Sequence, residues 1–198
     1  MSAAARIREQ LQQSLATHQA LLEREDLQAN VADLAQHCVG ALRQGAKIIF
    51  AGNGGSFADA QHLSAELTSR FLVTRAPLAS LALGTNSSSL SAIGNDFGYE
   101  HVFARELAAV GRTGDVFVPI TTSGNSANIL AAIDVADRLG LRTVVLTGQS
   151  RGRIKPHVDC ICVPSDVTAR IQECHILIGH VVCGLIEAAC FPGETSRS

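Results

Sequence analysis

Lys47-Ile48-Ile49-Phe50-Ala51-Gly52-Asn53-Gly54-Gly55-Ser56 is the stretch on which the fold turns. A short, strongly apolar run ends in a glycine-rich turn, and a helical pattern follows it through about Phe71. An uninterrupted apolar run of this length is the pattern of a strand buried on both faces, as in a parallel sheet. Comparable runs stand at residues 78–83, 115–120, 143–146 and 160–163, each separated from the next by a helical or turn segment. Alternation of this kind predicts an α/β fold with a parallel sheet. A long last helix is expected over residues 168–189, before Phe191-Pro192-Gly193.

Upstream of the first strand, residues 1–45 read as two helices. Ile7, Leu11, Leu15 and Leu22 recur at helical spacings, and Val31, Leu34, Cys38 and Leu42 do so again. The charged Glu23-Arg24-Glu25-Asp26 marks the turn between them. With no sheet of their own to cover, both are expected to pack on the domain or on another subunit. The organisation is therefore leading helices at 1–45 within the same domain, a core at 46–192, and a flexible tail at 193–198. No repeat or linker splits the 198 residues, a length that suits one α/β domain.

Composition narrows the function. Apolar residues make up 46% and charged residues 17%, enough for a sizeable core. A formal net charge of -2 supplies no bulk field toward nucleic acid or anionic membrane, and one Tyr with no Trp makes no stacking platform for bases. An anionic ligand must then be bound by local geometry. The N-terminus lacks the apolar core of a signal peptide, and no stretch is expected to reach the roughly 18–20 residues of a membrane span. Cys38, Cys160, Cys162, Cys174, Cys183 and Cys190 form no C-x-x-C pair and read as buried free thiols in a reducing cytoplasm.

Two loops are shaped for phosphate. Gly52-Asn53-Gly54-Gly55-Ser56 and Thr121-Thr122-Ser123-Gly124-Asn125-Ser126 each run from a strand end into a helix. Glycines expose backbone N–H groups, the helix start adds partial positive charge, and the hydroxyls donate without formal charge. Neither loop carries a Walker lysine, and Phe57 occupies the third-glycine position of the dinucleotide fingerprint. The bland alternative is a pair of tight turns with Ser as N-cap. Two such loops in one small domain favour a phosphorylated ligand.

Acid–base and metal-binding residue types cluster on the flanking helices. His62 and Glu66 share a helix face at a spacing of four. Gln172, Glu173, His175 and His180 follow on the last helix, where Gln172 and His180 differ by about 80° of azimuth. His, carboxylate and Gln oxygen suit Zn²⁺ or a similar ion, whereas an ordinary surface pair and a core histidine are the plain alternatives. Facing a phosphate loop, a carboxylate and an imidazole have the chemistry for aldose–ketose isomerisation through an enediol.

Taken together, Ala51-Gly52-Asn53-Gly54-Gly55-Ser56, Asp59-Ala60-Gln61-His62 with Glu66, Ala92-Ile93-Gly94-Asn95-Asp96, Thr122-Ser123-Gly124-Asn125-Ser126 and Ala169-Arg170-Ile171-Gln172-Glu173 with His180 resemble the sedoheptulose-7-phosphate isomerases. The resemblance spans the chain. It implies a single sugar isomerase (SIS) domain, a three-layer αβα sandwich whose five runs form a parallel sheet, assembled as a homotetramer with sites between subunits. It implies Zn²⁺, one per subunit, on His62, Glu66, Gln172 and His180, with Glu66 as base and His180 as its acid–base partner. Ser56, Thr121, Ser123 and Ser126 would hold the phosphate of a seven-carbon sugar. Gly54, Gly55, Thr122 and Gln172 would belong to the substrate pocket, and Asn53, Asp59 and Asp96 would line the sugar. The implied reaction converts D-sedoheptulose 7-phosphate to D-glycero-D-manno-heptose 7-phosphate, toward nucleotide-activated heptoses for surface polysaccharide such as lipopolysaccharide.

This chain departs from the pattern at Thr121, where many members carry Ser, and at Val167-Thr168-Ala169, where some carry an acid. Phe57 adds bulk beside Ser56. Two rival readings are a non-enzymatic regulator resembling the replication-initiator-associating protein, which lacks the glutamate matching Glu66, and an isomerase of another phosphosugar.

Overall fold

Ile48 to Gly52 are buried at every position, and so are Val116 to Thr121, so the runs that read as two-sided strands have both faces covered. In the computed structural model, which describes residues 1–193, the strands are β1 (Ile48–Gly52), β2 (Ser80–Ala82), β3 (Val116–Thr121), β4 (Arg142–Thr147) and β5 (Asp159–Cys162). The helices are α1 (Ala3–Leu22), α2 (Glu25–Arg43), α3 (Gly55–Thr68), α4 (Ser87–Phe97), α5 (Val102–Val110), α6 (Ala127–Leu139) and α7 (Thr168–Cys190), with a single 3-10 turn at Tyr99–His101. All five expected runs are strands, all are parallel, and their order is β2-β1-β3-β4-β5.

The pleat divides the core in two. Ile48, Phe50, Val116, Val118, Val144 and Leu146 face buried residues of α2, α3 and α7. Ile49, Ala51, Phe117 and Val145 face α5 and α6. A one-residue slip of β1 would exchange the two sets, so the packing pins its register to β3. Each fully buried Ile or Phe in these layers contributes about 1.5–3 kcal/mol of transfer free energy.

One expectation about the leading helices is corrected here. α2 does cover the sheet: Leu27, Val31, Leu34 and Cys38 are buried in the same layer as α7. A helix preceding the first strand can fold back across the sheet, and α2 shares that face with α3 and α7. By contrast α1 leaves Ile7, Leu11, Leu15 and Leu22 between 62% and 69% exposed. It is held at α7, where Arg170 Nη1 donates to the Gln10 carbonyl at 2.6 Å and Ser14 Oγ to Glu173 Oε2 at 2.8 Å.

A second correction concerns α7. Its 23 residues include an 18-residue window of mean hydropathy 1.5, long and apolar enough to cross a bilayer by those measures alone. Its place in the fold is that of a core helix, with Ile171, Cys174, Ile178, Val182, Cys183 and Ile186 packed under the sheet. The cysteines also divide. All six are free thiols, but only Cys38, Cys174 and Cys183 are buried, while Cys160, Cys162 and Cys190 are half-buried. The tail expected to be flexible falls, from residue 194 onward, outside the described residues.

Strand order places the site. β1 connects outward to β2 on one side and is flanked by β3 on the other. Connections that leave in opposite directions open a crevice at the carboxyl ends of the two central strands, where open α/β sheets bind ligands. The two glycine- and hydroxyl-rich loops follow β1 and β3, one on each side of that crevice.

Candidate active site

Gly54, the residue before α3, has φ +56°, a left-handed conformation that a side chain would strain. It turns the chain from β1 directly into α3, so that Ser56 is buried at the first turn. Neither Gly54 nor Ser126 supplies a side-chain cap to the helix it precedes, whereas Ser2 and Asn86 do cap α1 and α4. Serine as an N-cap therefore does not account for the loop hydroxyls. Ile129 N donates to Asn128 Oδ1 and Phe57 N to the Gly54 carbonyl, which leaves the earlier N–H groups of Gly55, Ser56, Ala127 and Asn128 for an anion.

Across the crevice, Thr121 is buried and its Oγ1 lies 3.4 Å from Ser126 Oγ. Ser123 Oγ accepts from Asn125 N, a small turn that holds the loop open toward solvent. Ser56, Thr121 and Ser126 thus lie at the strand ends as expected, with Thr122 half-buried and Ser123 exposed between them.

The polar floor between the loops is an amide pair. Asn53 Nδ2 donates to Asn128 Oδ1 at 2.9 Å, and Asn128 Nδ2 returns the bond to Asn53 Oδ1. Tyr99 Oη also donates to Asn53 Oδ1 at 3.2 Å. Asp59, one turn into α3, has Oδ2 buried without a hydrogen-bond partner. Burial raises its carboxyl above the ordinary range, with the neighbouring His62 opposing the shift. An orphaned buried carboxylate oxygen is a group able to take a donor, such as a sugar hydroxyl.

α3 and α7 run side by side in the same direction, and glycine permits the approach on each. A Cβ on Gly55 would meet Gln172 Nε2 at 2.6 Å, and one on Gly179 would overlap both methyls of Leu63. Next to that second contact, His62 Nε2 and His180 Nε2 converge to 2.9 Å, and His62 Nε2 lies 3.1 Å from Glu66 Oε1. The donor atoms of His62, Glu66 and His180 lie within 4.8 Å of one another. Two ring nitrogens this close require that one donates and the other accepts, or that both lone pairs face a shared cation.

Not every expected residue joins this cluster. Gln172 lies two turns earlier on α7, about 12 Å along the helix axis from His180, with its amide against Gly55. It faces the glycine loop, which suits its substrate role more directly than its ligand role. Asp96 is exposed near the end of α4 and accepts from its neighbour Asn95. Arg170 and Glu173, beside Gln172 in sequence, form an ion pair at 2.6 Å that anchors α1.

The structure adds residues that sequence reasoning missed. Asn128 and Tyr99 hold Asn53, and the Phe71 ring stacks on His180 with centroids 5.5 Å apart and planes 22° apart. Tyr99 was findable as the one tyrosine, three residues after the Asp96 motif. Phe71 and Asn128 carried no such signal.

A family model for the SIS domain matches residues 11–148. The chain is 51% identical over 160 residues to a phosphoheptose isomerase of Rhodospirillum rubrum, covering 80% of this chain and 85% of the relative. It is 47% identical over 186 residues to a phosphoheptose isomerase of Sulfurimonas denitrificans, covering 93% and 95%. A solved phosphoheptose isomerase from Francisella tularensis superposes with a TM-score of 0.88 at 34% identity, over 94% of this chain and 98% of that one.

Proposed function

The chain belongs to the phosphoheptose isomerases of the SIS-domain family and is a sugar-phosphate isomerase; from that premise we propose how its residues act on D-sedoheptulose 7-phosphate. The observation that carries the reading is the meeting of His62, Glu66 and His180 where α3 and α7 run side by side, the helices that start at and pack against the glycine loop. A regulator needing only a binding surface has no use for a carboxylate and two imidazoles converging there.

The phosphate is gripped by the hydroxyls of Ser56, Thr121, Ser123 and Ser126, with Thr122 and the backbone of Gly54 and Gly55 completing the cradle. The uncapped starts of α3 and α6 support this grip. Asn53, Asp59, Asp96 and Gln172 bind the sugar hydroxyls. Glu66 takes a proton from C1 of the ketose and returns it to C2, leaving an aldehyde at C1. His180 moves the accompanying proton between the two oxygens, so the overall change is a hydrogen shift with no net loss of atoms. The product is D-glycero-D-manno-heptose 7-phosphate, a precursor of nucleotide-activated heptose for surface polysaccharide.

His62, Glu66 and His180 fit a Zn²⁺ ion in donor chemistry and mutual distance, and Gln172 would complete the set only by swinging its amide from Gly55 toward them. Bound there, one ion per subunit would polarise the substrate oxygens and lower the barrier to the enediol. The exposed stripes Ile7, Leu11, Leu15 and Leu22 on α1 and Leu177, Val181 and Leu185 on α7 support assembly as a homotetramer with sites between subunits. Six free thiols fit a cytoplasmic enzyme.

The test is an NMR assay with sedoheptulose 7-phosphate, following the aldose, with Glu66→Gln as control. Turnover by the wild type and its loss in a folded variant is expected. No turnover by a folded, metal-replete wild type would overturn the substrate assignment.

A further inference from the structure

Beyond the residues that face substrate, one charged side chain holds both proton-transfer groups from behind. Glu187 lies on α7 two turns past His180, with its side chain only 3% exposed. Its carboxylate collects four donors from the segment between α3 and β2. Oε1 accepts from Phe71 N at 3.0 Å and Arg75 Nε at 2.8 Å, and Oε2 from Leu72 N at 2.6 Å and Val73 N at 3.1 Å. The Arg75 side chain is in turn fully buried, and its guanidinium also donates to carbonyls. Nη1 reaches Leu67 O at 2.7 Å and Ala76 O at 3.0 Å, and Nη2 reaches Glu66 O at 2.8 Å.

A buried ion pair is a weak route to stability, because desolvating two charges offsets most of their attraction. What this pair does achieve is geometric. Through Arg75 it caps the last turn of α3 at the carbonyl of Glu66 itself. Through the backbone N–H of Phe71 it seats the Phe71 ring on the imidazole of His180. The ring also packs on Gly184, where even a Cβ would make only ordinary contact with Phe71 Cε1 at 3.4 Å. One carboxylate thus fixes the backbone that carries the base and the ring that packs against its partner.

We propose that Glu187, acting through Arg75 and Phe71, is a positioning residue for isomerisation, setting the relative placement of Glu66 and His180. This rests on the roles given to Glu66 and His180 above. The geometry matters because displacements of about 1 Å at a reacting group can lower rates on the order of a hundredfold.

Two variants test it. Glu187→Gln keeps the shape but replaces one accepting oxygen with an NH₂ that must face two donors. Phe71→Leu leaves the ion pair and an apolar side chain in place while removing the ring from His180. For each, kcat and KM for sedoheptulose 7-phosphate are measured separately on protein with unchanged circular dichroism and cooperative unfolding. The His180 ring signal, assigned with His180→Gln, is followed by ¹H–¹³C NMR. The expected result is kcat lowered about tenfold or more with KM within about twofold, and a displaced His180 signal, in both variants. Unchanged kcat and an unmoved His180 signal in the folded variants would overturn the proposal, leaving Glu187 as a loop anchor. Should Glu187→Gln fail to fold, Phe71→Leu decides by the same two readouts. A wild type without turnover would count against the substrate reading only, because the His180 signal still reports on positioning.

Discussion

Gly179 of α7 lies directly over Leu63 of α3, so close that a Cβ on it would overlap both leucine methyls and stand 3.0 Å from Leu63 Cγ. Leu63 is 1% exposed and has little space into which to turn. The residues beside this contact, His62 and His180, are the pair whose ring nitrogens meet at 2.9 Å. Helix separation at one glycine thus sets the distance between two site histidines.

Gly179→Val should push α7 off α3. Overpacking a filled core costs about 1–3 kcal/mol, and valine recovers little as a helix former. Urea unfolding is expected to show that loss, and turnover should fall further than stability does, because the histidines separate. A variant of normal stability and normal kcat would show that the close approach is dispensable.

Thr121→Val removes one buried hydroxyl at nearly constant volume, next to Ser126 Oγ. If that hydroxyl donates to the substrate phosphate, a charge-assisted bond of about 1.5–3 kcal/mol disappears. KM should rise roughly 10- to 100-fold with kcat nearly unchanged, as read from initial rates. An unaltered KM would take Thr121 out of the phosphate grip.

Treatment with a chelator should lower turnover, and added Zn²⁺ should restore it, with metal content read by atomic absorption. His62→Ala should lose both the bound zinc and the response. Full activity in a sample shown to be metal-free would remove zinc from the proposal.

Much of this site was legible in the sequence. His62 and Glu66 share a helix face by spacing alone, and the two loops announce themselves by glycine and hydroxyl content. What spacing could not convey is contact between helices distant in sequence. The meeting of α3 with α7 depends on Gly55, which reads as part of the phosphate loop, and on Gly179, which within a helical pattern reads only as a weak helix former. Glu187 reads as one polar residue near the end of an apolar helix, because its partners are backbone N–H groups of a segment with no periodic pattern. α2 was read as having no sheet to cover because periodicity identifies an apolar face without naming what it meets.

Acid should weaken the fold through His175. This residue is fully buried, and its Nε2–H donates to the Thr147 carbonyl at 3.1 Å, which leaves Nδ1 as the buried, unpartnered atom. Burial lowers its pKa from 6.5 to about 4, opposed by the bond to Thr147. The native state therefore holds a neutral ring where the unfolded chain takes up a proton. Stability contributed by the neutral ring is intact above about pH 6.5 and is lost as pH falls toward 4, by roughly 3 kcal/mol in all. Urea midpoints measured from pH 7 to pH 4 should fall more steeply for wild type than for His175→Gln. Parallel curves would assign the acid sensitivity to other groups.

The pairing of α3 with α7 also bears on how the chain is made. His62 and His180 are 118 residues apart, and Arg170 reaches back 160 residues to Gln10. α1, α2 and β1 to β5 leave the ribosome ahead of α7, so the nascent sheet has part of one apolar face uncovered until that helix follows. Until α7 emerges, His62 and Glu66 have no His180 to meet. During synthesis the chain therefore has part of its core uncovered and this cluster unassembled, and a single late helix ends both conditions.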